Sequence, residues 1–195
     1  MGRPRKVSDQ AITEAALEVI LQDSVADLTL ERVATVVGVT APALVQRFGS
    51  RRRLLVSVLE QLADGIRLEP AERGQRQLDT LERNLLALAE PMANPRAAGN
   101  FLAFITHTLA VGESRDHVSK LMQRLRYSMT RALQEAIDDG ELRPATRCAE
   151  LASLTQGVFW ASLLEWGSSQ TLDRTLAQNL AQNLHSLWAP YRAAE

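Results

Sequence analysis

Apolar residues recur along this chain at helical spacing. Ile12, Ala15, Ala16, Val19 and Ile20 follow an i, i+3, i+4, i+7, i+8 pattern behind Ser8, which can cap a first helix. Leu30, Val33, Ala34 and Val37 repeat the pattern behind Thr29, and Gly38 stops it. A short third helix reads Thr40 to Phe48, with Thr40 as cap, Pro42 tolerated in the first turn, and Leu44 and Phe48 turned inward. A longer helix starts at Ser50 and buries Leu55, Val58, Leu59 and Leu62. Past a polar stretch at Glu69–Arg76, helices are predicted around Gln75–Glu90, Ala97–Val111, Asp116–Asp139, Arg147–Trp166 and Leu172–Trp188. Pro91, Pro95, Gly112, Gly140, Pro144 and Gly167 act as breakers. Hairpin signals and period-two runs are nearly absent. The pattern predicts an all-α chain in which an N-terminal three-helix helix-turn-helix domain precedes a larger helical domain, with about nine helices in all. The expected division is 1–50, a connecting helix 51–68, and 69–195.

Two short helices joined by a turn containing glycine, with a supporting helix before them, make a reading head for the major groove. Ala34 is small where the two helices must cross, Gly38 can take the positive φ of the turn, and Val39 is expected to plug the core. The distribution of charge sharpens this picture. Net charge is only −1, which argues against a protein that coats nucleic acid. Yet no acidic residue falls between Arg32 and Glu60, while Arg47, Arg51, Arg52 and Arg53 do. Three cations in the first turn of a helix oppose the helix dipole by roughly 0.3–1 kcal/mol each, and a bound phosphate would offset that. The alternative is a helical hairpin of some unrelated protein, with the arginines merely solvated.

The run from Val33 to Leu54 resembles the N-terminal signature of the TetR family, I-A-x-x-A-G-V-S-x-G-x-L-Y-x-H-F-x-S-K-E-x-L, in register and without a gap. Over Ser8–Leu62 the motif is specific; beyond it only the architecture of further helices is shared. Four positions depart: Val45 stands for the family's tyrosine, Arg47 for histidine, Arg51 for lysine and Arg52 for glutamate. The resemblance implies that Thr40, Ala41, Ala43, Val45 and Gln46 face base edges or the adjoining backbone, and that Thr29, Arg47 and Arg51 lie at phosphates, with Arg52 adding a cation. Gln46 alone on that helix can bond bidentately to adenine, and Ala43 or Val45 can press on a thymine methyl or serve as inert spacers. The arm Gly2-Arg3-Pro4-Arg5-Lys6 is similar to an AT-hook core, with Arg3, Arg5 and Lys6 directed to a narrow minor groove. Basic N-termini also occur without such a role.

In the larger domain, Ser153, Gly157 and Ala161 form a stripe of small residues that admits a second helix closely, from the same chain or another. The family pairs its last two helices across a two-fold axis, which implies a homodimer on a palindromic operator, with Leu176, Leu180, Leu184 and Leu187 as the matching seam. Phe101, Phe104, His107, Met122, Leu125, Met129, Phe159 and Trp166 lie on apolar helices; each alone reads as core, and together they suggest a pocket for a largely apolar small molecule. His107 is expected as a satisfied core histidine or a ligand contact. Glu165 beside Trp166 is either a surface carboxylate or a partner for a cationic ligand.

Other chemistry finds little support. The histidines are scattered, Cys148 is the only cysteine, and no Gly-rich phosphate loop or metal-ligand spacing occurs, so no enzyme, metal or cofactor is expected. No apolar span has membrane length and no secretory pattern follows the basic start, which points to the cytoplasm. The expected function is a transcription repressor released from DNA by a small molecule; the rivals are a helical protein-binding or sensory module with a vestigial helix-turn-helix, and a small helical enzyme.

Overall fold

A computed structural model describes residues 7–169 and 173–193. Among these residues the chain forms nine α-helices and no strand, only an isolated antiparallel bridge between Leu142 and Arg192. The helices are α1 (Asp9–Gln22), α2 (Leu30–Val37), α3 (Ala41–Phe48), α4 (Arg51–Gly65), α5 (Gln77–Ala89), α6 (Pro95–Ala110), α7 (Arg115–Asp138), α8 (Cys148–Ser168) and α9 (Leu176–Trp188). The chain packs as two compact units, residues 1–65 with 100–121, and residues 66–99 with 122–195. Helices α6 and α7 therefore each contribute to both.

In the first unit, α1 packs on α2 and α4, and α3 packs on α2 and α4. Ile12, Ala16, Ile20, Leu28, Val33, Leu44, Leu54 and Leu59 are fully buried there. Ser8 accepts from the Ala11 amide, as its position before the apolar run predicts, and Ser50 does the same for α4 from Arg53. Leu62, expected in the core, is only half-buried. The C-terminal end of α1 is tied by Asn100, whose Nδ2 donates to the Leu21 carbonyl at 3.0 Å.

In the second unit, α9 packs on α8 and α5. Thr175 and Gln178 build a capping box at the start of α9, and both carboxylate oxygens of Glu141 accept from the first amides of α5. Gly167 is not a breaker: α8 runs through it to Ser168. A Cβ there would lie 2.8 Å from the Gly99 nitrogen and 3.1 Å from its Cα, so the glycine permits a backbone approach between α8 and the start of α6. Gly167→Ala is expected to cost about 1–3 kcal/mol because neither backbone can yield without moving its helix. A chemical melt read against the wild type checks this. Pro95 likewise begins α6 instead of separating helices.

Candidate nucleic-acid interface

The turn between α2 and α3 has the geometry its sequence requires. Gly38 sits at φ 71°, ψ 33°, and the Val39 amide donates back to the Ala34 carbonyl at 2.9 Å. Thr29 Oγ1 caps α2 by accepting from the Arg32 amide at 3.1 Å, and Thr40 Oγ1 caps α3 from Ala43 at 3.4 Å. Leu44 and Phe48 bury one side of α3. Val39 is half-buried, so it covers the edge of the core and does not plug it. The opposite side of α3 presents Pro42, Val45, Gln46 and Arg47 to solvent, with Ala41 and Ala43 partly covered. Val45, an apolar side chain, leaves 47% of its surface exposed.

The arginines are placed differently from what the local sequence suggested. Arg47 spans from α3 to the start of α1, with Nη1 donating to the Val7 carbonyl at 2.7 Å and Nη2 2.5 Å from Asp9 Oδ1. Arg32 pairs with Asp23. Arg51 turns inward, its Nε donating to the Leu28 carbonyl at 2.6 Å and its Nη2 to the Val25 carbonyl. The acid-free window from Arg32 to Glu60 is thus partly neutralised by carboxylates of α1 and the loop after it. Arg47 and Arg51 cannot be read as ready phosphate ligands; their donors serve the subunit first. Arg52 and Arg53 are exposed on the first turn of α4. Arg3, Arg5 and Lys6 lie outside the described residues.

Asp9 and Asp23 are ion-pair partners of Arg47 and Arg32 that sequence proximity does not reveal. Asp9 carried only the signal of an acidic residue in a first helical turn, which has a local explanation in the helix dipole.

The candidate ligand residues divide between the units. Phe101 and Phe104 are buried in the first, their ring centroids 6.4 Å apart. His107 belongs to the same unit but is exposed, so it is not a core histidine. In the second unit Leu125, Met129 and Phe159 are buried, while Met122 and Trp166 are partly covered. The Met122 carbonyl accepts from Gln156 Nε2 at 3.0 Å. Glu165 is the surface carboxylate of the two readings, accepting from Asn179 at 3.0 Å. A cleft of about 300 Å³ opens elsewhere in this unit, lined by Leu86, Ala87, Ala89, Glu90, Ala93, Leu176 and Ala177, and none of these candidate ligand residues lines it.

The small-residue stripe and the leucine seam also part company. Ser153, Gly157 and Ala161 are exposed on α8, with open space where a Gly157 Cβ would stand. Leu176, Leu180 and Leu184 are buried in their own subunit and Leu187 half so, because α9 uses them to pack on α8 and α5. They are not an outward seam. Leu154 and Leu164, exposed at 49% and 60%, continue the α8 stripe instead. Their signal was available: a helix apolar on all sides must bury more than one face. Burial, and then Asp138 nearby, push the lone Cys148 thiol above the ordinary thiol range.

Among the described residues no helix is long and apolar enough to cross a membrane, and no group of histidine, cysteine and acidic residues could hold a metal. Residues 12–58 match the family model described as bacterial regulatory proteins, tetR family. A curated relative, the nucleoid occlusion factor SlmA of Marinobacter nauticus, is 28% identical over 149 residues, covering 72% of this chain and 73% of its own length. A transcriptional regulator from a Rhodococcus species superposes with a TM-score of 0.71 at 18% identity, over 97% of this chain and 100% of that one. The fatty acid degradation regulator FadR of Bacillus halodurans gives 0.69 at 16% identity, over 96% of each. At such identities these two structures establish a shared fold.

Proposed function

We propose that this chain, whose residues 12–58 match the family model of bacterial regulatory proteins of the tetR family, is a cytoplasmic, homodimeric repressor that leaves a palindromic operator when a small, largely apolar effector binds. The observation that carries DNA binding is the outer face of α3, where Val45 and Gln46 stand exposed on a helix whose other face is locked by Leu44 and Phe48. In this reading Thr40, Ala41, Ala43, Val45 and Gln46 address base edges, and Thr29 and Arg52 address the backbone. The arm with Arg3, Arg5 and Lys6 adds minor-groove contact. The second copy would lie on the α8 face of Ser153, Leu154, Gly157, Ala161 and Leu164. The apolar character of Met122, Leu125, Met129, Phe159 and Trp166 supports an apolar effector for the larger domain.

The test is binding of the full chain to duplexes selected from a random pool and to its own promoter region. Affinity should fall linearly with the logarithm of salt concentration, and the selected sites should be two-fold symmetric. Absence of duplex binding at low salt would sink the reading. Gln46→Ala should relax preference at one position of each half-site by about 1–3 kcal/mol; a uniform loss on all sequences would assign Gln46 to the backbone. A compound that binds without changing operator affinity is not the effector, since release requires differential binding to two states.

The similarity to a nucleoid occlusion factor favours a second reading, a role at the nucleoid and not at one promoter. Mapping bound chromosomal sites separates them: a few promoters support the repressor, a wide distribution supports the other.

A further inference from the structure

Arg51 is the first residue of α4, yet its guanidinium points into the connection between α1 and α2. One edge of the planar fork, Nε and Nη2, meets the carbonyls of Leu28 and Val25, residues whose own side chains are buried. The same connection is braced by the Asp23–Arg32 pair and by Ser24 Oγ donating to Asp27 Oδ2 at 2.6 Å. It ends at Thr29, whose hydroxyl and carbonyl accept from the Arg32 and Val33 amides to start α2. On the other side of the clamp, Ser50 starts α4. A single side chain therefore fastens the beginning of α4 to the segment that sets the beginning of α2.

We propose that Arg51 is a positioning residue for DNA binding: by holding the Val25 and Leu28 carbonyls it fixes Thr29 and α2 against α4, and it is not itself a phosphate ligand. The proposal rests on the DNA-binding reading above. Its physical basis is the shape of the donor. A lysine at this position keeps the charge but is a point donor on a flexible stem, and cannot offer one rigid edge to two carbonyls. A phosphate ligand would tolerate that exchange; a fork between two carbonyls would not.

Arg51→Lys, Arg51→Gln and Arg51→Ala separate the two roles, using a duplex selected by the wild-type chain at a temperature where melts show each variant folded. Three quantities are read: affinity, its slope against the logarithm of salt concentration, and amide exchange at residues 25–33 in the DNA-free protein. Arg51→Lys is expected to lose affinity on the order of tenfold, as the loss of a charge-assisted fork implies. Its salt slope should match the wild type, and exchange at Arg32 and Val33 should quicken. Arg51→Gln and Arg51→Ala should also keep the wild-type slope. Wild-type affinity in folded Arg51→Lys would overturn the proposal, as would a slope reduced by about 0.9 in Arg51→Ala, the mark of one lost phosphate contact. Unchanged exchange in DNA-free Arg51→Lys overturns the clamp while leaving the DNA-binding reading intact. Failure of the wild type itself to bind any duplex overturns both.

Discussion

If the protein pairs through α8 as proposed, Ala161→Glu is expected to convert that dimer into folded monomers and to lower affinity for a two-half-site duplex by about 10²–10⁴-fold, with little effect on a single half-site. Ala161 is exposed in the middle of the α8 stripe that runs from Ser153 past Gly157 to Leu164, and a methyl is small enough for a second helix to lie close against it. A carboxylate there would be desolvated on association, and a two-fold axis would bring its copy near, beside Glu165 one turn further along. The isolated subunit has no such conflict, so its melting should move by no more than about 0.5 kcal/mol. Sedimentation reads the mass, and titration of paired and single half-sites reads the loss of the intramolecular second contact. A variant that remains dimeric would remove this face of α8 from the interface.

Trp188→Ala is expected to destabilise the second unit by about 3–5 kcal/mol, a large share of what a domain of this size has to lose. The indole is fully buried at the end of α9, and its Nε1 donates at 3.0 Å to Oγ1 of Thr155, which is itself fully buried on α8. Removing the ring leaves a cavity that helices held by Leu180 and Leu184 cannot readily close. Trp188→Phe separates the two contributions: it keeps most of the volume and removes the donor, at about 1–3 kcal/mol. Chemical denaturation measures both. Near-equal losses in the two variants would mean that the hydrogen bond, and not the packed ring, fastens α9 to α8. Because α8 presents its other side to the proposed partner, the alanine variant should also weaken dimerisation.

The helix-turn-helix scaffold was legible because each of its signals is local. A threonine before an apolar run, a glycine where the chain must take positive φ, and apolar residues three and four apart act within one or two turns of helix. They placed the starts of α1, α2 and α3, and the ends of α2 and α3, where the structure has them. The leucines of α9 show where that kind of reading stops. Leu176, Leu180 and Leu184 announced an apolar face, but not whether α8 and α5 of the same chain or a second subunit would cover it. Gly167 was misread for a related reason. A helix interior tolerates glycine when another backbone needs the space, and Gly99 lies far from it in sequence.

The arginines draw the sharpest line between the two sources of information. By itself the sequence determined the resemblance to the tetR family over its N-terminal helices, the all-helical fold and the short helix capped by Thr40 and ending at Phe48, since periodicity, caps and turn residues are properties of neighbours along the chain. It could not determine what each cation does. Only the tertiary structure brought Asp9 to Arg47 and the Val25 and Leu28 carbonyls to Arg51. Charge acts through space, over distances that folding sets, so a window without acidic residues in the sequence need not be a window of available positive charge on the surface.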